Sequence, residues 1–425
     1  MSAPDVGRLT RGKLIRYFEE AFTPRDRWQV GIEVEKMARD RTGAPLPYER
    51  DSDARTVRGL LERYLQLRGG APVFEGDHLI GIDGESWGAI SLEPAGQFEW
   101  SSRPARDLDR LDADLGAHLA ALRTLSADLD VNWLDVAVEP ERAVADMPWM
   151  PKARYGIMRS YLEPRGRLAH RMMTQTASVQ CAVDFADADD WRRKFKAVAT
   201  LTPVAVALFA NSARADGRDT GWRSYRQAIW RETDPERCGL PPVVFGPGFG
   251  LDAWIEWATQ VPMMFLRRAR GLVPLGGVPF RELMTRTGCD ALGTVDWELH
   301  LSGIFTEVRS YGYLEIRSAD LLPDPLLASV PALWTGLLYS ESALDDALAL
   351  GAPLDDHAAW SAAMVEGARL GLDARAGGRP LRELARDLLA AAARGLRGGA
   401  ACAGVSADPA RRLAPLALRH GLDPP

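Results

Sequence analysis

Four segments far apart in the chain alternate apolar and polar side chains, which is the pattern of β-strands with one buried face. In the first segment Val30, Ile32 and Val34 are apolar, and glycine and glutamates stand between them. The polar positions of the four segments are Glu33 and Glu35; Gln97, Glu99 and Ser101; Ser178, Gln180 and Asp184; and Tyr313, Glu315 and Arg317. A fold that places these strands in one sheet would gather an oxygen-rich surface.

Long helical patterns separate the strands. Leucines at helical spacing predict a helix from Asp107 to Arg123, and a second helix is expected from Asp190 to Phe209. After about residue 325 the chain is rich in leucine, alanine and arginine at helical spacing, with Pro380 at a plausible helix start. Strands mixed with long helices indicate an α/β or α+β enzyme core with a helical C-terminal part.

Composition and charge exclude several functions. The 425 residues carry a net charge of −6, so we expect no nucleic-acid partner. The longest apolar passage, from Pro325 to Tyr339, is interrupted and shorter than the ~18 residues of a membrane span. No apolar signal segment follows the first residues, and the four cysteines form no CxxC pair. These features favour a reducing compartment, and we expect a cytosolic protein.

Familiar catalytic motifs do not fit their required contexts. The stretch 84–88 matches G-x-S-x-G, but a nucleophile elbow leads into a helix, and here a strand pattern follows. The glycines at 246, 248 and 250 do not have dinucleotide-binding spacing, and the six histidines never form HExxH. Neither a serine hydrolase nor a zinc enzyme is therefore expected.

The carboxylates on the strands remain as candidate functional groups. Glu33 and Glu35 share one strand face with Cα atoms about 6.6 Å apart, which suits one divalent ion or a pair of ions. The alternative is that each polar face simply meets water, as is common in antiparallel sheets. If the four faces converge, repulsion between like charges requires cations. Oxygen ligands favour Mg²⁺ or Mn²⁺ over zinc.

Six segments, in order from about residue 29 to 340, together resemble the glutamate–cysteine ligases of the plant and proteobacterial type, within the glutamine synthetase-like carboxylate–amine ligase superfamily. The actinobacterial ligases that feed ergothioneine synthesis are also similar. The segments are Gly31-Ile-Glu-Val-Glu-Lys36, Ser91-Leu-Glu-Pro-Ala-Gly-Gln-Phe-Glu99, Met150-Pro-Lys-Ala-Arg-Tyr155 with Ile157-Met-Arg159, Ala207-Leu-Phe-Ala-Asn-Ser212, Arg226-Gln-Ala-Ile-Trp230 and Tyr313-Leu-Glu-Ile-Arg317.

The resemblance implies a fold and an activity. The fold would be α+β, with a curved, mainly antiparallel sheet lining an active-site cleft and helices packed outside, as in the glutamine synthetase and guanidino kinase-like catalytic fold. Residues 1–345 would form the catalytic ligase domain, and residues 346–425 a helical C-terminal segment packed on the same domain. The activity would be ATP-dependent ligation of the γ-carboxylate of glutamate to the amine of cysteine, through a γ-glutamyl phosphate, giving γ-glutamylcysteine for glutathione or a related thiol.

The resemblance also implies roles for individual residues. The metal ligands would be Glu33, Glu35, Glu99, Gln180 and Glu315, with Glu93 as a further neighbour. Arg317 would be the catalytic residue that clamps the transferring phosphoryl group, unless it only forms a salt bridge to a glutamate. The substrate-binding residues would be Arg154, Arg226 and Tyr155, with Arg159 in reserve for the α-carboxylate of glutamate, although each arginine could instead be structural.

The expected partners are glutamate, cysteine and ATP with Mg²⁺ or Mn²⁺, and the protein would be a monomer or homodimer without nucleic-acid or membrane partners. Plant members of the family carry a regulatory disulfide. Here Leu275 stands where one partner is expected, so that Cys289 would have no mate and this redox control would be lost. The alternatives are a ligase using a different amine acceptor, a non-catalytic nucleotide or glutamate-binding homologue, and a two-metal hydrolase.

Overall fold

The computed structural model describes residues 9–50, 53–286 and 291–425, so Cys289 lies outside the described residues. The strands are β1 (Val30–Lys36), β2 (Ala38–Asp40), β3 (Ala71–Glu75), β4 (His78–Gly84), β5 (Gly88–Leu92), β6 (Phe98–Ser101), β7 (Val131–Trp133), β8 (Ser178–Val183), β9 (Arg214–Ala215), β10 (Arg218–Asp219), β11 (Pro262–Arg268), β12 (Gly271–Pro279), β13 (Val308–Ser310), β14 (Leu314–Asp320), β15 (Arg375–Ala376) and β16 (Arg379–Pro380). The helices are α1 (Arg11–Glu19), α2 (Val57–Arg68), α3 (Leu108–Leu129), α4 (Ala153–Leu162), α5 (Ala169–Gln175), α6 (Ala188–Leu208), α7 (Tyr225–Arg231), α8 (Leu251–Gln260), α9 (Phe280–Leu283), α10 (Thr294–Leu301), α11 (Ser329–Leu338), α12 (Glu341–Gly351), α13 (His357–Leu370), α14 (Leu381–Arg397) and α15 (Ala414–Arg419).

An eight-stranded sheet in the order β13-β14-β8-β1-β6-β5-β4-β3 forms the centre of the fold. Every neighbouring pair in it is antiparallel. All four strands expected from the alternating segments belong to this sheet, and β1 lies between β8 and β6, which come from distant parts of the chain. The predicted α+β class with a mainly antiparallel sheet is therefore confirmed.

Helices cover the apolar face of the sheet. Val30, Ile32 and Val34 on β1 are fully buried there, because α3 and α11 pack against that strand while α6 packs against β14. The predicted helix 107–123 is present but continues to Leu129, and Asp107 caps its N-terminus by accepting a hydrogen bond from the backbone N–H of Arg110. The polar face of the sheet is thus left for the site.

The C-terminal helices pack against the core. Gly395 of α14 faces Gly336 of α11 so closely that a Cβ at Gly395 would lie 2.0 Å from the Gly336 carbonyl oxygen. The predicted helix start after Pro380 is present, since α14 begins at Leu381.

Among the described residues, no helix combines the length and apolarity that a bilayer crossing requires.

Candidate active site

A cavity of about 420 Å³ lies on the polar face of the sheet, and we call it the cleft. Strands β1, β5, β6, β8, β13 and β14 form its floor, and α4, α5 and α7 contribute side chains above it. All but one of the site residues expected from the sequence line it. These residues are Glu33, Glu35, Glu93, Glu99, Arg154, Tyr155, Gln180, Arg226, Glu315 and Arg317.

The strand register explains how distant residues meet. Glu35 stands directly opposite Glu99 on β6, and Glu33 stands opposite Gln180 on β8. Side chains of such cross-strand pairs lie about 5 Å apart at Cβ. Because Glu33 and Glu35 are two residues apart on one strand, the pairing gathers three carboxylates on one face.

Neutral groups hold the carboxylate of Glu35. One oxygen accepts a hydrogen bond from the backbone N–H of Ser178 at 2.7 Å, and the other accepts one from the Gln180 amide at 3.1 Å. The same amide is within 3.3 Å of the Ser178 hydroxyl. These contacts fix the orientation of the carboxylate without neutralising its charge.

Glu33 and Glu99 are held in a similar way. The Ser101 hydroxyl donates to Glu33 at 3.3 Å, and the Ser91 hydroxyl donates to Glu99 at 2.8 Å. Within the described part of the chain, neither these two carboxylates nor that of Glu35 forms an ion pair with a lysine or arginine. Three carboxylates therefore share one face without a salt bridge to a lysine or arginine.

The pKa values of all three carboxylates are raised above the usual value for a glutamate. Burial raises the pKa of Glu33 to about 7, with a further contribution from the charge on Glu315. Burial likewise raises the pKa of Glu35 to about 7, and Glu93 adds to the effect. The pKa of Glu99 also lies well above its usual value, because of burial and then repulsion from Glu33. A bound cation would oppose these shifts, because it would stabilise the ionised carboxylates.

Glu315 has a different environment, although it lines the same cleft. Arg309, opposite it on β13, binds both carboxylate oxygens, at 2.6 and 3.1 Å, and Arg317 donates to one of them at 3.1 Å. Burial would raise the pKa of Glu315, but the two guanidinium groups outweigh burial and hold that pKa below its usual value. Glu315 is therefore an ionised anchor for two arginines.

Arg317 is oriented by its neighbours on the sheet. Its Nη1 donates to the Gln180 side-chain oxygen at 2.6 Å as well as to Glu315, and its guanidinium lies 5.9 Å from the centre of the Trp230 ring. The salt bridge to a glutamate, which we raised as the structural alternative, is thus present. It does not prevent a role in binding, because Arg317 lines the cleft.

Arg226 reaches the cleft from α7 and is almost fully buried. Its Nη2 donates to the Arg317 carbonyl at 3.1 Å, and its Nη1 lies 3.9 Å from Asp320, which itself accepts hydrogen bonds from Ser212 and Ser224. The Nη1 atom is buried and has no hydrogen-bond partner among the described residues. A buried, unpaired donor of this kind suits an anionic ligand.

The remaining residues expected to bind substrate are placed differently. The buried Nε of Arg154 has no hydrogen-bond partner in the described chain, so Arg154 also suits an anion. The hydroxyl of Tyr155 donates to the Leu92 carbonyl, which ties α4 to β5. Arg159 does not line the cleft: its exposed guanidinium lies over the Trp149 ring at 4.5 Å. Arg154 and Arg159 are five residues apart on α4 and point to different sides.

The donor set fits a hard divalent ion only in part. In residues 9–50, 53–286 and 291–425, no three acidic, histidine or cysteine side chains are grouped as a metal site. The expected set of six protein ligands is therefore not assembled, and Gln180 and Glu315 are occupied by Arg317. Mg²⁺ usually takes only one or two carboxylates and completes its shell with water and substrate phosphates. Two of the three carboxylates of Glu33, Glu35 and Glu99 would fit that mode of binding.

Sequence reasoning missed Arg309 and gave no role to Lys152. Arg309 is six residues before Glu315, and the pairing would have followed from the sequence only if 308–310 had been recognised as the partner strand of a hairpin. Lys152 lines the cleft and donates to the Leu92 carbonyl at 3.1 Å. Gln97, expected on the polar face, does line the cleft, and it also holds the turn before β6 by accepting from the Ala95 N–H and donating to the Met173 and Thr176 carbonyls.

The fold and the cleft define an α+β protein whose central sheet gathers carboxylates and arginines in one cavity. The family model of glutamate-cysteine ligase family 2 matches residues 29–419, so the chain belongs to that family. The resemblance seen in the six segments is thereby confirmed, and the match also includes most of the C-terminal segment, in which no motif was found.

Relatives agree with this family assignment, and a solved structure shares the fold. The chain is 36% identical over 344 residues to the chloroplastic glutamate–cysteine ligase of Nicotiana tabacum, covering 80% of this chain and 65% of that protein. It is 37% identical to the chloroplastic enzyme of Arabidopsis thaliana, covering 81% and 66%. The chain thus spans slightly less than two thirds of these relatives. A glutamate–cysteine ligase from Francisella tularensis in complex with AMP shares the fold, with a TM-score of 0.51 at 12% identity over 92% of this chain and 85% of that one.

The relatives correct one prediction. We expected a cytosolic protein, but the relatives from tobacco and Arabidopsis are both chloroplastic enzymes, so that expectation is wrong. The physical reason is that sparse, unpaired cysteines indicate a reducing environment and do not distinguish one reducing compartment from another.

Proposed function

We propose that the cleft joins the γ-carboxylate of glutamate to the amine of cysteine at the expense of ATP, giving γ-glutamylcysteine, the first step towards glutathione or a related thiol. One observation carries the proposal: in a chain of this family, three carboxylates without a salt bridge lie in the same cavity as buried arginine donors that lack a hydrogen-bond partner among the described residues. Anionic substrates and a cation are what such a cavity would bind.

The carboxylates Glu33, Glu35 and Glu99 would hold Mg²⁺ or Mn²⁺, with Glu93 close by. When bound, the ion would neutralise charge on the nucleotide phosphates during phosphoryl transfer. The protein's own contribution is positioning. Ser178, Ser91 and Ser101 fix the three carboxylates through the hydrogen bonds described above, so that their charges are in place before a ligand arrives.

The arginines would bind the reacting groups. Arg226 and Arg154 each have a buried donor without a hydrogen-bond partner among the described residues, and these two arginines would hold the α-carboxylate of glutamate. Arg317, oriented by Glu315 and Gln180, would clamp the phosphoryl group as it moves. The terminal phosphoryl group passes from ATP to a γ-carboxylate oxygen, leaving ADP. The cysteine nitrogen then bonds to the acyl carbon, the bond to the phosphate oxygen breaks, and phosphate and a proton are released.

An acceptor survey tests the proposal. The purified chain is incubated with ATP, Mg²⁺ and glutamate, and phosphate release is measured with cysteine, with other amino acids and with no amine. We expect release to require glutamate and to be stimulated most by cysteine, and the product to have the mass of γ-glutamylcysteine. If cysteine gave no stimulation above the amine-free reaction, the proposal would be rejected. A larger effect of another amine would identify a different acceptor, and equal release without amine would indicate a hydrolase.

A further inference from the structure

A second cavity, of about 430 Å³, lies away from the cleft and shares no lining residue with it. We call it the arginine pocket, because Arg214, Arg223, Arg382 and Arg419 line it. These arginines come from β9, the loop before α7, the start of α14 and the end of α15. Four guanidinium groups from distant segments have therefore been brought to one place in a protein with a net charge of −6.

Only part of this positive charge is neutralised by the protein. Arg382 pairs with Asp373 at 3.2 Å, and Arg214 pairs with Glu141 at 3.2 Å. Arg419 donates only to neutral oxygens, and the Arg223 side chain has no partner in the part of the chain that the structure describes. Arg223 and Arg419 thus form no ion pair with a carboxylate among the described residues, although Asp373 also lines the pocket, and their two positive charges face it.

Helix ends explain part of the arrangement but not all of it. Arg419 donates to the Ala210 carbonyl just beyond the C-terminal end of α6, where a cation is favoured by the helix dipole. His420 lies 2.7 Å from the Leu208 carbonyl, and burial lowers its pKa, so it adds no full charge. Arg223 has no such carbonyl partner. Its exposed guanidinium is free to bind a ligand that enters the pocket.

We propose that the arginine pocket binds the phosphate group of a small phosphomonoester, with Arg223 and Arg419 as the principal ligands. A phosphate dianion matches the two unpaired positive charges, and two forked guanidinium groups match its oxygens. The volume exceeds that of phosphate alone, so the pocket has room for a small organic group on the phosphate. This inference does not depend on the reaction in the cleft.

Calorimetric titration with inorganic phosphate and with glucose 6-phosphate tests the proposal, and glucose serves as the uncharged control. We expect both phosphates to bind, the ester at least as tightly as the free ion, and glucose not to bind. Arg223→Gln should weaken binding roughly tenfold, because it removes a charge-assisted contact. Arg218→Gln should not change it, since Arg218 is exposed on β10 nearby but does not line the pocket.

Several outcomes would overturn the proposal. They are the absence of binding, equal binding by Arg223→Gln and the unchanged protein, and at least tenfold tighter binding of citrate than of either phosphate. A loss of binding in Arg317→Gln would also overturn it, because it would place the phosphate in the cleft. Arg223→Gln is expected to fold normally, since its side chain has no partner to lose, and Arg419→Gln provides a second variant whose fold is checked by thermal unfolding.

Discussion

Glu35 and Glu315 lie in the same cleft, but their carboxylates have opposite surroundings. Glu35 is held by a backbone N–H and an amide, and its pKa is about 7. Glu315 is held by two guanidinium groups, and its pKa is lowered. The first carboxylate therefore gains most from a cation, whereas the second already has its counter-charges. We therefore propose that Glu35 and its neighbours bind the ion, and that Glu315 orients Arg317.

Glu35→Gln removes a charge while keeping the size and the hydrogen bond from Ser178. We expect ligation to fall roughly 100-fold or more, as when a preorganised charge is removed from an active site, and the melting temperature to be unchanged or higher because repulsion is relieved. Enzyme assay and thermal unfolding measure the two effects. Glu62→Gln, on the exposed face of α2, is the matched control and should retain full activity. If Glu35→Gln kept the ligation activity of the unchanged protein, Glu35 would not be part of the ion-binding site.

The raised pKa values predict how ion binding depends on pH. Below pH 7 Glu33 and Glu35 hold protons that a cation must displace, and above pH 7 they are free to bind it. A ligand that binds only the native state stabilises that state, and the stabilisation increases as the ligand binds more tightly. Mg²⁺ should therefore raise the melting temperature more at pH 8 than at pH 6, and Glu35→Gln should reduce the difference. Equal shifts at the two pH values would contradict this assignment.

At the scale of the elements, the alternating strands were predictable and the edge hairpins were not. In residues 30–34 apolar side chains occupy every second position, and this alternation shows directly which face of β1 is buried. β3 has no such signal, because Phe74 and its neighbours are exposed along the edge of the sheet. The sequence also predicts a strand over 131–138, but β7 ends at Trp133, since only three residues pair with β2. Local patterns thus identify elements that bury one face and miss those that bury neither.

The crossing of α11 and α14 predicts how strongly the C-terminal segment is attached. A methyl group at Gly395 would collide with the Gly336 carbonyl, so Gly395→Ala should lower the free energy of unfolding by about 2 kcal/mol. Gly116→Ala, in an open position on α3, should instead be neutral or raise it by about 0.5 kcal/mol. Urea unfolding measures both variants.

Urea unfolding of Gly395→Ala also tests the expected domain organisation. If residues 346–425 pack on the same domain, as we propose, the variant should unfold in one transition at a lower urea concentration. A separate early transition, with the rest of the chain unaffected, would show that the C-terminal segment folds on its own.

At the scale of the whole molecule, the sequence could identify most of the cleft residues but not their arrangement. Motif spacing pointed to Glu33, Glu99 and Arg317, yet their meeting depends on β1 pairing with strands that begin 68 and 148 residues later. Such long-range register leaves no local pattern. For the same reason Arg309 was missed, and Glu315 was expected to bind metal when it holds two arginines. Arg159 lies outside the cleft because it is on a side of α4 that faces away from the cleft, and the sequence does not show which side of α4 faces inward.

Anomalous diffraction from a crystal grown with Mn²⁺ and a nonhydrolysable ATP analogue tests the central claim most directly. The account predicts a manganese peak within bonding distance of a carboxylate oxygen of Glu35, and of Glu33 or Glu99, with the terminal phosphate of the nucleotide within hydrogen-bond distance of Arg317. Nucleotide and metal bound at any other surface, with these carboxylates left in contact with serines and water alone, would contradict it.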